Sequence, residues 1–151
     1  MDMNKIIVIT GASRGIGAAT ARLAGAAGYA VCVNYRENAE AAARVVADVQ
    51  AAGAPAFAVA ADVSVESDVM RLFETVDKTP GRLAGLVNNA GILETQMRLD
   101  SMSAARLHRV LATNVIGSFL CAREAVRRLS TKHDRSGTCS REYSWRRGGE
   151  D

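Results

Sequence analysis

The 151 residues are 48% hydrophobic and 23% charged, with a net charge of +3 and three cysteines, and the mean hydropathy is +0.01. That balance points away from a disordered or membrane chain, and the longest early apolar run, Ile6 to Ile9, is too short for a signal sequence or a membrane span. One domain with a sizeable core fits the length, since a domain of this size buries about 70% of its unfolded surface.

Lys5 to Thr10 is a short apolar run ending in Gly11, as expected of a strand buried on both faces. A helix follows, with Ile16, Ala19, Leu23, Ala24 and Ala27 at helical spacing and Gly28 at the C-terminal cap position. The pattern recurs: Ala30 to Asn34 reads as a strand, Ala39 to Ala52 as an alanine-rich helix closed by Gly53, and Ala56 to Ala60 as a third strand. Val65 to Val76 is amphipathic, Leu83 to Asn88 is a fourth strand, and a long helix is expected from about Ser103 to Arg128. Alternation of this kind predicts an α/β fold, a Rossmann-type doubly wound parallel sheet.

From Thr131 the texture changes, nine of the last 21 residues being charged. A doubly wound domain would continue into a fifth buried strand, and none can be read there. The expectation is a dinucleotide-binding part over residues 1–130 and a polar, disordered or aberrant tail over 131–151, with the sheet incomplete. Basic residues are scattered outside that tail, so a nucleic-acid partner is not expected. Cys32, Cys121 and Cys139 form no close pair, which predicts no metal site, no disulfide framework and reduced thiols. A cytoplasmic location with no membrane partner follows as the expectation.

Thr10-Gly11-Ala12-Ser13-Arg14-Gly15-Ile16-Gly17 sits between the first strand and the first helix. Glycines there let the backbone approach a pyrophosphate, while the helix start presents free N–H groups and a positive dipole end. The spacing is Gly-x-x-x-Gly-x-Gly and departs from the general dinucleotide fingerprint. Asp62-Val63 follows the third strand, Asn88-Asn89-Ala90-Gly91 the fourth, and Asn114 lies inside Thr113 to Gly117. Taken singly, Asp62 could be a helix cap, the asparagine pair a turn, and Asn114 a polar interruption.

Together and in this order, these motifs resemble the classical short-chain dehydrogenase/reductase family across residues 5 to about 128. The resemblance implies strands ordered 3-2-1-4, with Gly11, Ser13, Arg14, Gly15, Ile16 and Gly17 on the cofactor phosphates. It implies Asp62 and Val63 at the adenine ring and Asn89, Ala90 and Gly91 lining the cofactor site. Asn114 matches the family's catalytic asparagine, which holds a water in the proton relay. The implied activity is hydride transfer between a nicotinamide cofactor and a small alcohol or carbonyl substrate, with full-length relatives expected to be homo-oligomers.

The strand-end position where an acid would select NAD is Asn34, and Arg36 follows. Arg14 and Arg36 could clamp a 2′-phosphate, which favours NADP; Glu37 could reach the ribose, which keeps NAD open. The family's proton-exchanging tyrosine, with its pKa lowered by a lysine four residues on, would fall beyond Asp151. Tyr143 with Arg147 comes too early, Ser140 and Ser144 lack a preceding buried strand, and His108 and His133 read as surface and tail residues. A C-terminally truncated or frameshifted member is therefore expected, inactive as given. The alternatives are a cofactor-binding, catalytically dead truncation product or a nucleotide-sensing interaction module. Loss of the later strands would expose Leu107, Val110, Leu111, Val115 and Phe119.

Overall fold

The architecture follows from strands that are apolar on both faces and must be covered twice. A computed structural model describes residues 5–129. In chain order it contains β1 (Lys5–Ile9), α1 (Gly15–Ala26), β2 (Ala30–Tyr35), α2 (Ala39–Ala51), β3 (Ala56–Ala60), α3 (Glu66–Lys78) and β4 (Arg82–Val87). A single 3-10 turn (Leu99–Ser101) precedes α4 (Ala104–Leu111), a π turn (Ala112–Gly117) and α5 (Ser118–Leu129). All strand pairs are parallel, in the order β3-β2-β1-β4. Between β1 and β4 the register slips by one residue at Ala84, Ile6 facing Leu83 and Ile7 facing Gly85.

Alternation of side chains across the sheet makes two cores. Ile6, Val8, Ala30 and Cys32 pack with Val69, Leu72, Phe73 and Val76 of α3 and Cys121 and Ala125 of α5. On the other face Ile9, Val31 and Val33 pack with Ala18 and Ala21 of α1 and Val45 and Val49 of α2. Burying a side chain the size of Phe73 or Leu72 contributes about 1.5–3 kcal/mol, and both are fully buried. Helices α2 and α4 are capped locally, Asn38 accepting from Ala41 N at 2.9 Å and Ser103 from Arg106 N at 3.3 Å.

Two expectations are corrected. The stripe expected to face the core on α1 faces outward: Ile16 is 80% and Leu23 72% exposed, while Gly17, Ala18, Ala21 and Gly25 are buried. The reason is steric. A Cβ on Gly25 would lie 2.6 Å from Val49 Cγ1, so α1 approaches α2 through small residues whose low hydrophobicity hides them from a pattern search. The single helix expected from about Ser103 to Arg128 is interrupted by the π turn, which buries Thr113 and Gly117. A Cβ at Gly117 would meet Val63 Cγ2 at 2.8 Å and Val63 O at 2.9 Å, so the distortion seats the helix backbone directly on the loop after β3.

Of the residues expected to be exposed, Leu107, Leu111, Val115 and Phe119 are between 40% and 74% exposed and Val110 is half-buried. Ser140, Tyr143, Ser144, Arg147 and the expected polar tail lie outside the described residues.

Candidate functional site

From β1 the chain steps outward through β2 and β3, then crosses back to set β4 on the other side of β1. The crevice beyond the carboxyl ends of the strands at such a switch is where open α/β sheets take ligands. A cleft of about 510 Å³ lies there. Gly11, Ser13, Arg14, Gly15, Ile16, Arg36, Asp62, Val63, Asn89, Ala90 and Gly91 line it, whereas Gly17 and Asn114 do not.

The floor is a set of bonds that locks the turn after β1 to the turn after β4. Thr10, 1% exposed, accepts through Oγ1 from Asn89 N and Ala90 N, both at 3.0 Å. Asn89 Nδ2 donates back to Thr10 O at 2.8 Å and Gly11 O at 3.1 Å. Two glycines permit this closeness. Gly11 has φ +61, and a Cβ there would lie 2.9 Å from Ala90 Cα; a Cβ at Gly17 would lie 2.5 Å from Asn89 Nδ2. Gly17 thus belongs beneath the cleft, pressing the first turn of α1 against Asn89.

At the mouth of the turn, α1 begins after Arg14 with no side-chain cap. Its first N–H groups and the positive end of its dipole therefore lie beside the cleft residues Arg14, Gly15 and Ile16. Arg36 forms an exposed ion pair with Glu37 at 2.7 Å, of the kind water and salt readily loosen. Arg14 has no ion pair among the described residues.

On the opposite wall, Asp62 Oδ1 accepts from Ser64 N at 2.9 Å and Ser64 Oγ at 2.7 Å. Its own N–H donates to Asp68 Oδ2 at 2.9 Å. That backbone N–H, together with the Arg71 guanidinium, holds the Asp68 carboxyl below its ordinary range. Asp62 is thus both a cleft residue and part of the turn that leads into α3.

Asn114 spends both side-chain atoms on one residue, Oδ1 accepting from Ile92 N at 2.8 Å and Nδ2 donating to Ile92 O at 2.9 Å. Its own carbonyl accepts from Ser118 Oγ at 3.2 Å. Ile92 and Thr113 line the cleft, so Asn114 fixes the segment after β4 from behind. Farther along, Arg109 grips Glu94 through two bonds of 2.8 and 3.1 Å and holds its carboxyl below the usual range. Neither thiol among the described residues is poised as a nucleophile: burial pushes Cys32 up to about 12, and burial with the nearby Glu124 charge pushes Cys121 up to about 11.

The family model for short chain dehydrogenase matches residues 5–138. The chain belongs to this family. The chain is 49% identical over 132 residues to the uncharacterized oxidoreductase YgfF of Escherichia coli (strain K12), covering 87% of this chain and 53% of that protein. It is 38% identical to a short-chain dehydrogenase/reductase of Pestalotiopsis microspora, over 83% of this chain and 47% of the relative. Among solved structures, a double mutant of a Serratia marcescens short-chain dehydrogenase/reductase superposes with a TM-score of 0.79 at 34% identity, over 83% of this chain and 51% of that one. The chain spans about half the length of the curated relatives it matches.

Thr10, the bridge to Asn89 and Ala90, carries no signal in the local sequence, and Asn34 stands at the strand end where an acid would read a ribose. Asn34 is 1% exposed, with its amide turned into backbone bonds. A lone polar residue closing the apolar run from Val31 to Val33 was the available signal, because a buried amide implies partners.

Proposed function

We propose that this chain is the cofactor-binding part of a short-chain oxidoreductase, one that holds NADP(H) in the cleft and, in the whole protein, works on a small alcohol or carbonyl compound. The observation that carries the reading is the uncapped start of α1 beside a glycine turn and two arginines. The residues fit the group: Gly15, in the cleft lining at φ +55, has nothing within 4 Å of where a Cβ would stand, which leaves open space for a pyrophosphate to come close to the backbone at the helix start. Gly11, Ser13, Arg14, Gly15 and Ile16 would hold the phosphates, Asp62 and Val63 the adenine, and Asn89, Ala90 and Gly91 the inner end, with Gly17 beneath. When bound, the nicotinamide supplies or takes up the hydride.

Arg14 and Arg36 would bind a 2′-phosphate through charge-assisted bonds, which favours NADP over NAD, while the Glu37 carboxylate beside Arg36 works against it. Asn114 orients the Ile92 backbone at the edge of the cleft; a water in the family's proton relay would sit beside these bonds.

Titrating the 151-residue chain with NADPH and NADH tests the assignment. One NADPH should bind per chain, and Arg36→Ala should raise its dissociation constant about tenfold while NADH shifts by less than about threefold. With a panel of ketones, reduced-nicotinamide absorbance should stay constant, because no tyrosine in the sequence has a lysine four residues on. A chain that binds neither dinucleotide overturns the cofactor reading, and steady turnover overturns the inactivity of the chain by itself.

A further inference from the structure

Asn34 is the last residue but one of β2 and follows Val31, Cys32 and Val33, all 0% exposed. An amide at that depth is tolerated only when its donors and acceptor find partners. They find them on both sides of the cleft. Oδ1 accepts from Gly11 N at 3.2 Å, at the start of the glycine turn. Nδ2 donates to Ala61 O at 3.0 Å and Val59 O at 3.3 Å, at the end of β3. The backbone carbonyl of Asn34 takes a further bond from Ala12 N at 2.8 Å. Ala61 leads straight into Asp62 and Val63 on the opposite wall.

We propose that Asn34 is a positioning residue for the nucleotide: its amide ties the glycine turn to the wall after β3, sets the width between them, and does not itself read the ribose. This inference rests on the dinucleotide reading of the cleft. A carboxylate at the end of the second strand is the general device for binding ribose hydroxyls. Here that site is closed to the role. Asn34→Asp would put an oxygen where Nδ2 now donates, facing three carbonyl oxygens, those of Ala61, Val59 and Tyr35, with only the Gly11 N–H left to satisfy it. Discrimination between cofactors falls instead to Tyr35 and Arg36, the next residues along the cleft.

Calorimetric titration of the 151-residue chain and its Asn34→Asp variant with NADP+ and NAD+ tests this. Near pH 8 both dissociation constants should rise about tenfold or more, with their ratio unchanged within about threefold. As the pH falls toward about 5.5 the gap to the unaltered chain should close, because a protonated carboxyl regains an O–H to give to Ala61 O. A loss of packing alone would not recover in this way. A ratio swung toward NAD+, unchanged constants, or a loss that persists in acid each overturns the proposal. An unaltered chain that binds neither nucleotide removes the dinucleotide reading and this inference with it; unchanged constants in the variant remove this inference alone. Should Asn34→Asp fail to fold by circular dichroism, amide exchange in the unaltered chain decides. Binding of 2′,5′-ADP should slow exchange at Gly11 N–H and the Asn34 side-chain amide about tenfold or more, and equal rates with and without it overturn the proposal.

Discussion

Gly17 touches no cleft surface, yet the site depends on its lack of a side chain. A Cβ there would lie 2.5 Å from Asn89 Nδ2 and 2.8 Å from Gly11 O, inside the bonds that hold the two turns together. Gly17→Ala should therefore displace the Asn89 amide, costing about 1–3 kcal/mol in chemical denaturation and weakening NADPH binding about tenfold or more. Stability and affinity equal to the parent would show that the turns have slack. At this scale the sequence was informative where chemistry imposes a pattern: Gly11, Gly15 and Gly17 stood out because three glycines at a strand-to-helix turn have few other reasons to be there. It was silent on Thr10 and on the backbone bonds that Asn34 makes. Whether a polar side chain faces ligand or backbone depends on bonds across 25 to 80 residues of sequence, and nothing in the local pattern encodes those distances.

Helix α5 is attached to α3 by charge as well as by the core. Glu124 is 4% exposed and receives Arg127 at 2.8 Å, Arg128 at 3.0 Å and Arg123 at 3.1 Å. Arg128 also holds Asp77 of α3 at 2.7 Å and stacks over Phe73 at 5.2 Å, and Arg123 holds Glu66 at 2.7 Å. Burial pushes the Glu124 carboxyl up, but bonds to Arg128 and Arg123 and the Arg127 charge outweigh it and leave the group below its ordinary range. A carboxyl depressed on folding contributes its stability above the unfolded value, near pH 4.3, and loses it as the pH falls through the folded one. Glu124→Gln should cost about 1–3 kcal/mol at neutral pH, less than a fully buried pair because Arg123 and Arg127 remain partly solvated. The two denaturation midpoints should converge below about pH 4, and a gap independent of pH would refute the charge account. The sequence conveyed the helix but not this attachment, since Glu124 among arginines reads as a solvated face until α3 is laid beside it. The same limit hid the α1 packing face, where contact favours Ala18, Ala21 and Gly25 over the larger Ile16 and Leu23.

At the scale of the molecule the strand order and the two-sided cover were legible, because period and punctuation are local properties that a parallel sheet converts directly into topology. What this leaves at the outer side of the sheet has a physical consequence. Strand β4 is the last in the described sheet, and the helices that follow it carry Phe119 74%, Val126 57%, Ile116 54% and Leu111 49% exposed. Among the described residues the outer edge of β4 has no partner strand, and such an edge beside apolar side chains of this size is a surface that associates. The 151-residue chain should therefore bind a hydrophobic dye such as ANS and sediment as larger species as its concentration rises. Phe119→Glu should lower both effects without changing the thermal midpoint by more than a degree or two, roughly what a surface substitution within ±0.5 kcal/mol produces. A monomer at all concentrations with no dye binding would mean that this side of the sheet is covered in solution.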